Sequence, residues 1–410
     1  MLTRVIAGIL TSKAIAVFIG AEGLALIGNL QNFVGATQTV SVLGFYNGVV
    51  KYIAEYKENA VKLSKTISTV FYLGFISTMV VSFFCYFYAD TINEIIFPTY
   101  SSYGYVIKIF AIVLPFYALN MFSFSIMNGF SKYKILIVFN IIGQILGVSI
   151  TLLLIYQNKI DGALISVAIA EALIFLITLV GIINRRSLVP IIKIKEVSLS
   201  YFKKLSSYSL MALFSAVIMP LIAIVIRSYI MEVEGHKFAG FWEAMSRISK
   251  YYLMFVTSIM ALYILPRFSE IENDKEFRKE VFSFYKTVIP KLAIGLIVIY
   301  FSKSFIISLI FTKEFQPVED LFLWQLLGDI VKVLSLVIAY QFLAKKMFWH
   351  YIITEAFLVI MTYVTSIYFI GLYGVKGAVI GHFASYLMYF GVILLIFRSS
   401  LFGVIQEEQE

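Results

Sequence analysis

One cysteine, Cys85, stands in the whole chain, so no internal disulfide can form and thiol redox chemistry lacks a second partner. Charge is also scarce: 14% of the 410 residues are Asp, Glu, Lys or Arg, against about a quarter in soluble domains. The histidines His236, His350 and His382 lie too far apart for metal-ligand spacing, and no metal is expected. The chain has no Walker phosphate loop, which argues against ATP use. It has no nucleophile–base arrangement and no paired-carboxylate site, so neither an enzyme nor a cofactor is expected. No small-residue cleavage site follows the first apolar run, so no cleavable signal is expected either.

What fills the chain instead is apolar: 60% hydrophobic and 17% aromatic residues, with a mean hydropathy of +0.91. That composition is that of an all-α polytopic membrane protein. Twelve spans are predicted, at 3–20, 23–46, 65–88, 105–128, 134–156, 162–184, 206–230, 238–264, 283–302, 321–343, 349–371 and 375–397. About twenty Lys and Arg residues, among them Arg4, Lys51, Lys132, Arg185, Arg267, Lys345 and Arg398, fall in alternate loops. About five fall on the opposite side: Lys159, Lys237, Lys303, Lys313 and Lys376. The positive-inside rule then puts both termini in the cytoplasm. The net charge of +9 is a topology signal, and no nucleic-acid partner is expected.

The two halves repeat at an offset of about 215 residues. Asp161-Gly-Ala-Leu-Ile-Ser166 matches Lys376-Gly-Ala-Val-Ile-Gly381, and Asp90-Thr-Ile-Asn-Glu-Ile-Ile-Phe97 matches Ser304-Phe-Ile-Ile-Ser-Leu-Ile-Phe311. Gly23 pairs with Gly240, and Lys132 with Lys346. Six spans separate equivalent positions, an even number, so the repeats share one orientation and predict two parallel six-helix lobes around a central cavity. The expected domains are an N-terminal lobe at 1–184, a basic linker at 185–205, a C-terminal lobe at 206–398 and a tail at 399–410. The linker is expected to lie on the cytoplasmic surface as an amphipathic segment.

Arg227, Arg247, Lys250 and Lys332 lie inside apolar stretches. A basic group at mid-membrane costs roughly 2.5–3.5 kcal/mol, so four facing lipid would cost on the order of 10 kcal/mol. They must face water, an acidic partner or a bound anion, and a cationic interior suits negatively charged cargo. Glu243, Arg247 and Lys250 share one stripe of the eighth span. There they form either a cation ladder with Glu243 as moderator or a salt-bridge stripe. Asp329 and Lys332 are neighbours on the tenth span, either as a simple pair or as a cation with a proton-coupling acid; Trp324, one to two turns away, could stack on a sugar. Lys13 and Glu171, central in the first and sixth spans, either pair or extend the anion path and its coupling. Gln31, Asn32, Asn120, Asn128 and Gln144 bind sugar hydroxyls or glue helices. Asn47 and Lys51 close the second span at the cytoplasmic mouth. For Arg227 the rival is snorkelling to the interface, and for His382 it is plain packing.

The segments Phe45-Tyr-Asn-Gly-Val-Val-Lys51-Tyr-Ile-Ala-Glu55-Tyr, Leu210-Met-Ala-Leu213, Tyr263-Ile-Leu-Pro266 and Asp320-Leu-Phe-Leu-Trp-Gln-Leu-Leu-Gly-Asp329-Ile-Val-Lys332-Val carry a further likeness. Through them nearly the whole chain resembles the multidrug/oligosaccharidyl-lipid/polysaccharide exporter superfamily. Within it the chain is most similar to the Wzx-type flippases, especially those of enterobacterial common antigen synthesis. Such proteins have about fifteen more residues before the position of Arg4, so the first span is expected to be barely long enough to cross.

The resemblance implies an undecaprenyl-diphosphate-linked oligosaccharide, an O-antigen or common-antigen repeat unit, carried from the cytoplasmic to the periplasmic leaflet by alternating access. It also implies working alongside a polymerase and a chain-length regulator of the same pathway. Two rivals remain at this stage. A multidrug exporter would want an acidic, aromatic pocket, and a membrane glycan polymerase would want a large periplasmic loop.

Overall fold

The structure is a computed structural model that describes residues 2–98, 100, 102–183 and 192–403, with only the backbone described at 47, 181–183, 204, 205, 207 and 208. Arg185, Arg186 and the tail from 404 onward lie outside the described residues, as do the side chains of Asn47 and Lys204.

Every regular element among the described residues is helical. In chain order they are α1 (Leu2–Phe18), α2 (Ala21–Ser41), α3 (Tyr46–Tyr56), α4 (Ala60–Phe87), α5 (Ala89–Ile96), α6 (Gly104–Gly129), α7 (Tyr133–Ile183) and α8 (Leu199–Glu234). They continue with α9 (His236–Ile259), α10 (Leu265–Glu270), α11 (Asp274–Phe301), α12 (Lys303–Ile310), α13 (Phe322–Ala344), α14 (Phe348–Tyr373), α15 (Val375–Ile396) and α16 (Arg398–Phe402). α7 is two helices joined at Lys159, whose backbone is not helical. Counting its arms separately, each of the twelve predicted spans has a long helix. Nine helical stretches among the described residues, with α7 taken as one, are long and apolar enough to cross a membrane, as expected of a multi-pass membrane protein. A helix satisfies its backbone polar groups internally, the condition for crossing hydrocarbon.

Three of the predicted loops contain structure. α3 occupies the stretch after the second span, α5 and α12 follow the third and ninth, and 3-10 turns run over Lys313–Leu321. The seventh span starts at Leu199, earlier than the expected 206, because the polar turns of α8 continue the helix beyond the apolar run.

The backbone repeats at 215 residues. Gly20 and Gly235, which open α2 and α9, both have positive φ, at 87° and 98°. Ser131 and Lys346, after α6 and α13, take φ of 57° and 54°. Lys159 and Gly374, before the sixth and twelfth spans, take 47° and 59°. Three residues further on, Gly162 and Gly377 leave room for a carbonyl of the preceding helix; an added Cβ would sit 1.9 Å from Leu154 O and 2.0 Å from Phe369 O. The structural repeat therefore aligns Gly20 with Gly235 and Ser131 with Lys346, rather than Gly23 with Gly240 and Lys132 with Lys346. Connection geometry fixes the register more tightly than residue likeness does. The halves differ where α2 ends: Leu43 and Gly44 turn out of the helix with φ of 56° and 63°, whereas α9 passes through a π-helical turn at Met260–Ile264 into α10.

The chain divides into two compact units, Leu2–Ile224 and Val225–Glu410. The first is centred on Val42, Phe45, Ile53, Ile67 and Phe122, the second on Met260, Phe268, Phe277, Val337 and Phe342. Within the first unit, the end of the connecting segment is docked on α4. The Lys193 and Ser198 backbone N–H groups donate to the buried Ser68 and Thr69 hydroxyls at 2.9 and 3.0 Å. Ile194 and Leu199 stay exposed beside Lys195, an arrangement suited to a membrane surface.

Lys159 holds a backbone conformation (φ 47°, ψ −117°) that its repeat equivalent assigns to glycine. Such a conformation costs a non-glycine residue about 1–3 kcal/mol, more than the roughly 0.5–1 kcal/mol of unfolded-chain entropy a glycine adds. Lys159→Gly is therefore expected to raise the thermal midpoint in detergent. Gly374→Ala is expected to lower it, because the added Cβ would lie 1.9 Å from the Glu234 carboxylate.

Candidate functional site

α9 carries the densest charge. Its first half is buried on the stripe containing Ala239, Glu243 and Arg247, so these groups point into protein. Glu243 is 1% exposed and binds two arginines at once. Its Oε2 accepts from Arg227 of α8 at 2.5 Å, and its Oε1 accepts from Arg247 Nε, one turn on, at 2.9 Å. Arg227 is 1% exposed, with its guanidinium 5.2 Å from the Trp242 ring. It does not snorkel, because Glu243 draws it inward. It is also enclosed, so we assign Arg227 to holding Glu243 rather than to touching cargo. Glu243 likewise serves as the common anchor of two cations.

One turn beyond Arg247 the same helix changes character. Lys250 is exposed, although it lies well inside a transmembrane helix where an acyl-chain contact would be costly. The charges acting on it are those of Glu243, Arg247, Arg227 and Lys332. The four predicted cations of this unit therefore belong to one field.

α13 and α15 complete the cluster. Asp329 is fully buried and accepts hydrogen bonds from Ser249 at 2.6 Å, from the Tyr252 hydroxyl and from Gln325 at 3.2 Å. His382 Nε2 lies 3.0 Å from its other oxygen. Asp329 thereby ties α9, α13 and α15 together. Among the described residues no ion pair joins it to Lys332, which corrects the expectation of a simple pair. Lys332 is half-buried, with its ammonium 5.3 Å from the Tyr386 ring, and the charges of Asp329 and Glu355 also act on it. His382 is thus a ligand of Asp329 rather than a packing residue. Ser249, Tyr252, Tyr386 and Glu355 were missed in the sequence, where only the lone acid and its helical neighbours stood out. The i, i+3 spacing of Ser249 and Tyr252 along α9 was the available signal. Trp324 is half-buried against Phe383, with ring centroids 5.6 Å apart, which leaves one face covered by protein.

The remaining expected residues lie in the Leu2–Ile224 unit. Lys13 is half-buried on α1, Gln31 exposed and Asn32 half-buried on α2. Lys51 is exposed on α3, 5.4 Å from the Tyr52 ring. Glu171 is half-buried on α7, and the cation acting on it is Arg4. Asn120 accepts from Thr178 at 2.8 Å inside the unit, the helix-gluing role. Among the described residues no group of three or more His, Cys, Asp or Glu could hold a metal.

The Val225–Glu410 cluster thus sets four cations against Glu243, Asp329 and Glu355, and two of those acids are enclosed. Such a set can bind a doubly charged anion at the exposed Lys250 and half-buried Lys332 while Arg247 supports the field. Glu243→Gln would leave two buried guanidinium groups without their carboxylate, which costs about 3–5 kcal/mol. Folded, monodisperse protein in detergent should fall accordingly, and Arg227→Met in the same chain should recover most of it. Wild-type yield and melting for the single variant would contradict this reading.

Across 407 residues the chain is 28% identical to the lipid III flippase of Escherichia coli (strain K12), covering 97% of this chain and 95% of that protein; the Shigella flexneri lipid III flippase matches equally. Among solved structures, an inward-facing multidrug resistance MATE family transporter superposes with a TM-score of 0.76 at 15% identity, over 98% of this chain and 94% of that one. The lipid II flippase MurJ, in an inward closed conformation, superposes with a TM-score of 0.70 at 15% identity, over 97% and 85%. At these identities the two structures bear on fold alone, and both agree with the all-α architecture. Residues 1–272 match the polysaccharide biosynthesis protein family, and the chain belongs to it.

Proposed function

We propose that this protein is a flippase that carries an undecaprenyl-diphosphate-linked oligosaccharide from the cytoplasmic to the periplasmic leaflet of a bacterial inner membrane. It is a transporter, not an enzyme, and breaks no bond in its cargo. The observation that carries the reading is the cation excess of the Val225–Glu410 unit, in a chain whose full length resembles lipid III flippases. A diphosphate cannot cross hydrocarbon unescorted, since an unpaired ion in that medium costs many kcal/mol. Lys250, Lys332 and Arg247 replace its water with fixed positive charge. Trp324, Gln31, Asn32, Lys13 and Lys51 contact other parts of the cargo, while the polyprenyl chain stays in lipid. Alternating access then exposes the bound headgroup to each leaflet in turn.

In this proposal 1–184 and 206–398 are the two six-helix lobes, 185–205 is the linker, and both termini are cytoplasmic. Asp329 and Glu243 are the groups that set the charge balance for release. A polymerase and a chain-length regulator of the same pathway consume the product. A multidrug exporter of organic cations shares this fold, but a binding field dominated by Lys and Arg repels such cargo.

A flippase-null strain supplies the test. The wild-type chain should restore surface glycan. Each of Arg247→Ala, Lys250→Ala and Lys332→Ala should cut glycan about tenfold or more, since one charge-assisted hydrogen bond contributes about 1.5–3 kcal/mol. Lipid-linked intermediate should accumulate with the protein inserted at normal levels. Normal surface glycan in all three variants would overturn the reading.

A further inference from the structure

The 215-residue repeat puts unlike chemistry at like positions. In the register fixed by Gly20 and Gly235 and by Lys159 and Gly374, Tyr117 on α6 is the equivalent of Lys332 on α13. Glu171 on α7 is likewise the equivalent of Tyr386 on α15. The Lys332 ammonium lies 5.3 Å from the Tyr386 ring, and the repeated backbone puts Tyr117 and Glu171 at the corresponding places of α6 and α7. α6 and α7 hold this register along their length: the Phe116 and Phe175 rings are 5.9 Å apart, and Thr178 donates to Asn120 at 2.8 Å. The position that presents a cation in the Val225–Glu410 unit therefore presents a tyrosine hydroxyl beside a carboxylate in the Leu2–Ile224 unit. Two more polar groups lie along the same side of α6: Asn128 shares the face of Tyr117 about three turns on, and its Nδ2 donates to the Tyr46 hydroxyl of α3 at 3.3 Å.

We infer that Tyr46, Tyr117, Asn128 and Glu171 form a sugar-binding station that holds the hydroxyl-bearing rings of the cargo's glycan, apart from the cations that hold its diphosphate. The inference deepens the flippase reading and rests on it. Tyr46 is 37% exposed, and Tyr117, Asn128 and Glu171 are half-buried, so all four can be reached.

The chemistry fits neutral sugar and misfits phosphate. A carboxylate accepts from two adjacent hydroxyls, an amide both donates and accepts, and a tyrosine adds a ring face and a hydroxyl. Glu171 would repel a diphosphate at the same spot, and it could not face acyl chains without a large cost. Sugar hydroxyls satisfy it without adding charge, through hydrogen bonds stronger than neutral ones. Division of the cargo between the units also explains why the position held by Lys332 in one unit holds Tyr117 in the other, and that held by Tyr386 holds Glu171, on a repeated backbone.

Binding to the purified full-length chain in nanodiscs separates the alternatives, with two probes. One is the undecaprenyl-diphosphate-linked common-antigen repeat unit, and the other is bare undecaprenyl diphosphate. Tyr117→Phe, which removes one hydroxyl, and Glu171→Ala should each weaken binding of the glycosylated probe about tenfold, or about 1.4 kcal/mol. The bare probe should bind these variants within about twofold of wild type. Lys332→Ala should weaken both probes alike. Equal losses for both probes in Tyr117→Phe and Glu171→Ala, or no loss for either, would overturn the station. So would a Glu171→Gln protein whose binding changes only in its pH dependence, which would make Glu171 a proton carrier. If the wild-type chain binds neither probe, the flippase reading itself fails, and the station falls with it.

Discussion

A carboxylate shared by two buried arginines sets the terms for the rest of the molecule. Glu243 can neutralise one guanidinium but touches two, so the Val225–Glu410 unit keeps a surplus of positive charge at membrane depth. Asp329 and Glu355 offset only part of that surplus, four cations facing three acids. The Asp329 oxygens are engaged by hydroxyls, an amide and an imidazole from three helices rather than by an ion pair with Lys332. Lys250 and Lys332 are left with accessible charge in a medium that penalises it. An anion brought by the cargo is the natural counterion, and it has reason to leave again because no single cation encloses it.

The same backbone repeat supports two linings. Positive-φ junctions at Gly20, Ser131 and Lys159 recur at Gly235, Lys346 and Gly374, and tight helix pairs recur at Gly162 and Gly377. These junctions fix where each helix starts and which face it turns to its neighbours. Side chains on those faces were then free to diverge: Tyr117 and Glu171 in one unit, Lys332 and Tyr386 in the other. A headgroup that is part diphosphate and part sugar needs both kinds of surface, since fixed charge and hydroxyl recognition cannot be satisfied by one set of groups.

Much of this was legible in the sequence for a physical reason. Transmembrane helices need about twenty apolar residues, so hydropathy marked the long helices, and a basic residue inside one stands out because it is costly there. The repeat was legible too, but residue likeness aligned Gly23 with Gly240 and missed the junction register of Gly20 and Gly235. Short helices such as α3, α5 and α12 carry no length signal, so their stretches read as loops. Tertiary partners were hidden as well. Asp329 bonds His382 across 53 residues and Ser249 across 80, while helical spacing points only to neighbours three and four residues away. That is why Lys332 looked like the partner of Asp329, and why Arg227, caught by Glu243 across a helix junction, looked free to reach the interface.

The central claim is that fixed positive charge in one unit carries a lipid diphosphate across the bilayer. Its most direct test uses proteoliposomes holding the purified chain and a fluorescent undecaprenyl-diphosphate-linked oligosaccharide, with the fraction reaching the far leaflet read by a membrane-impermeant quencher. The account predicts rapid transfer by the wild-type chain, competition by bare undecaprenyl diphosphate, and no competition by an uncharged polyprenol. Transfer that polyprenol blocks as well as the diphosphate does, or no transfer beyond protein-free vesicles, would contradict it.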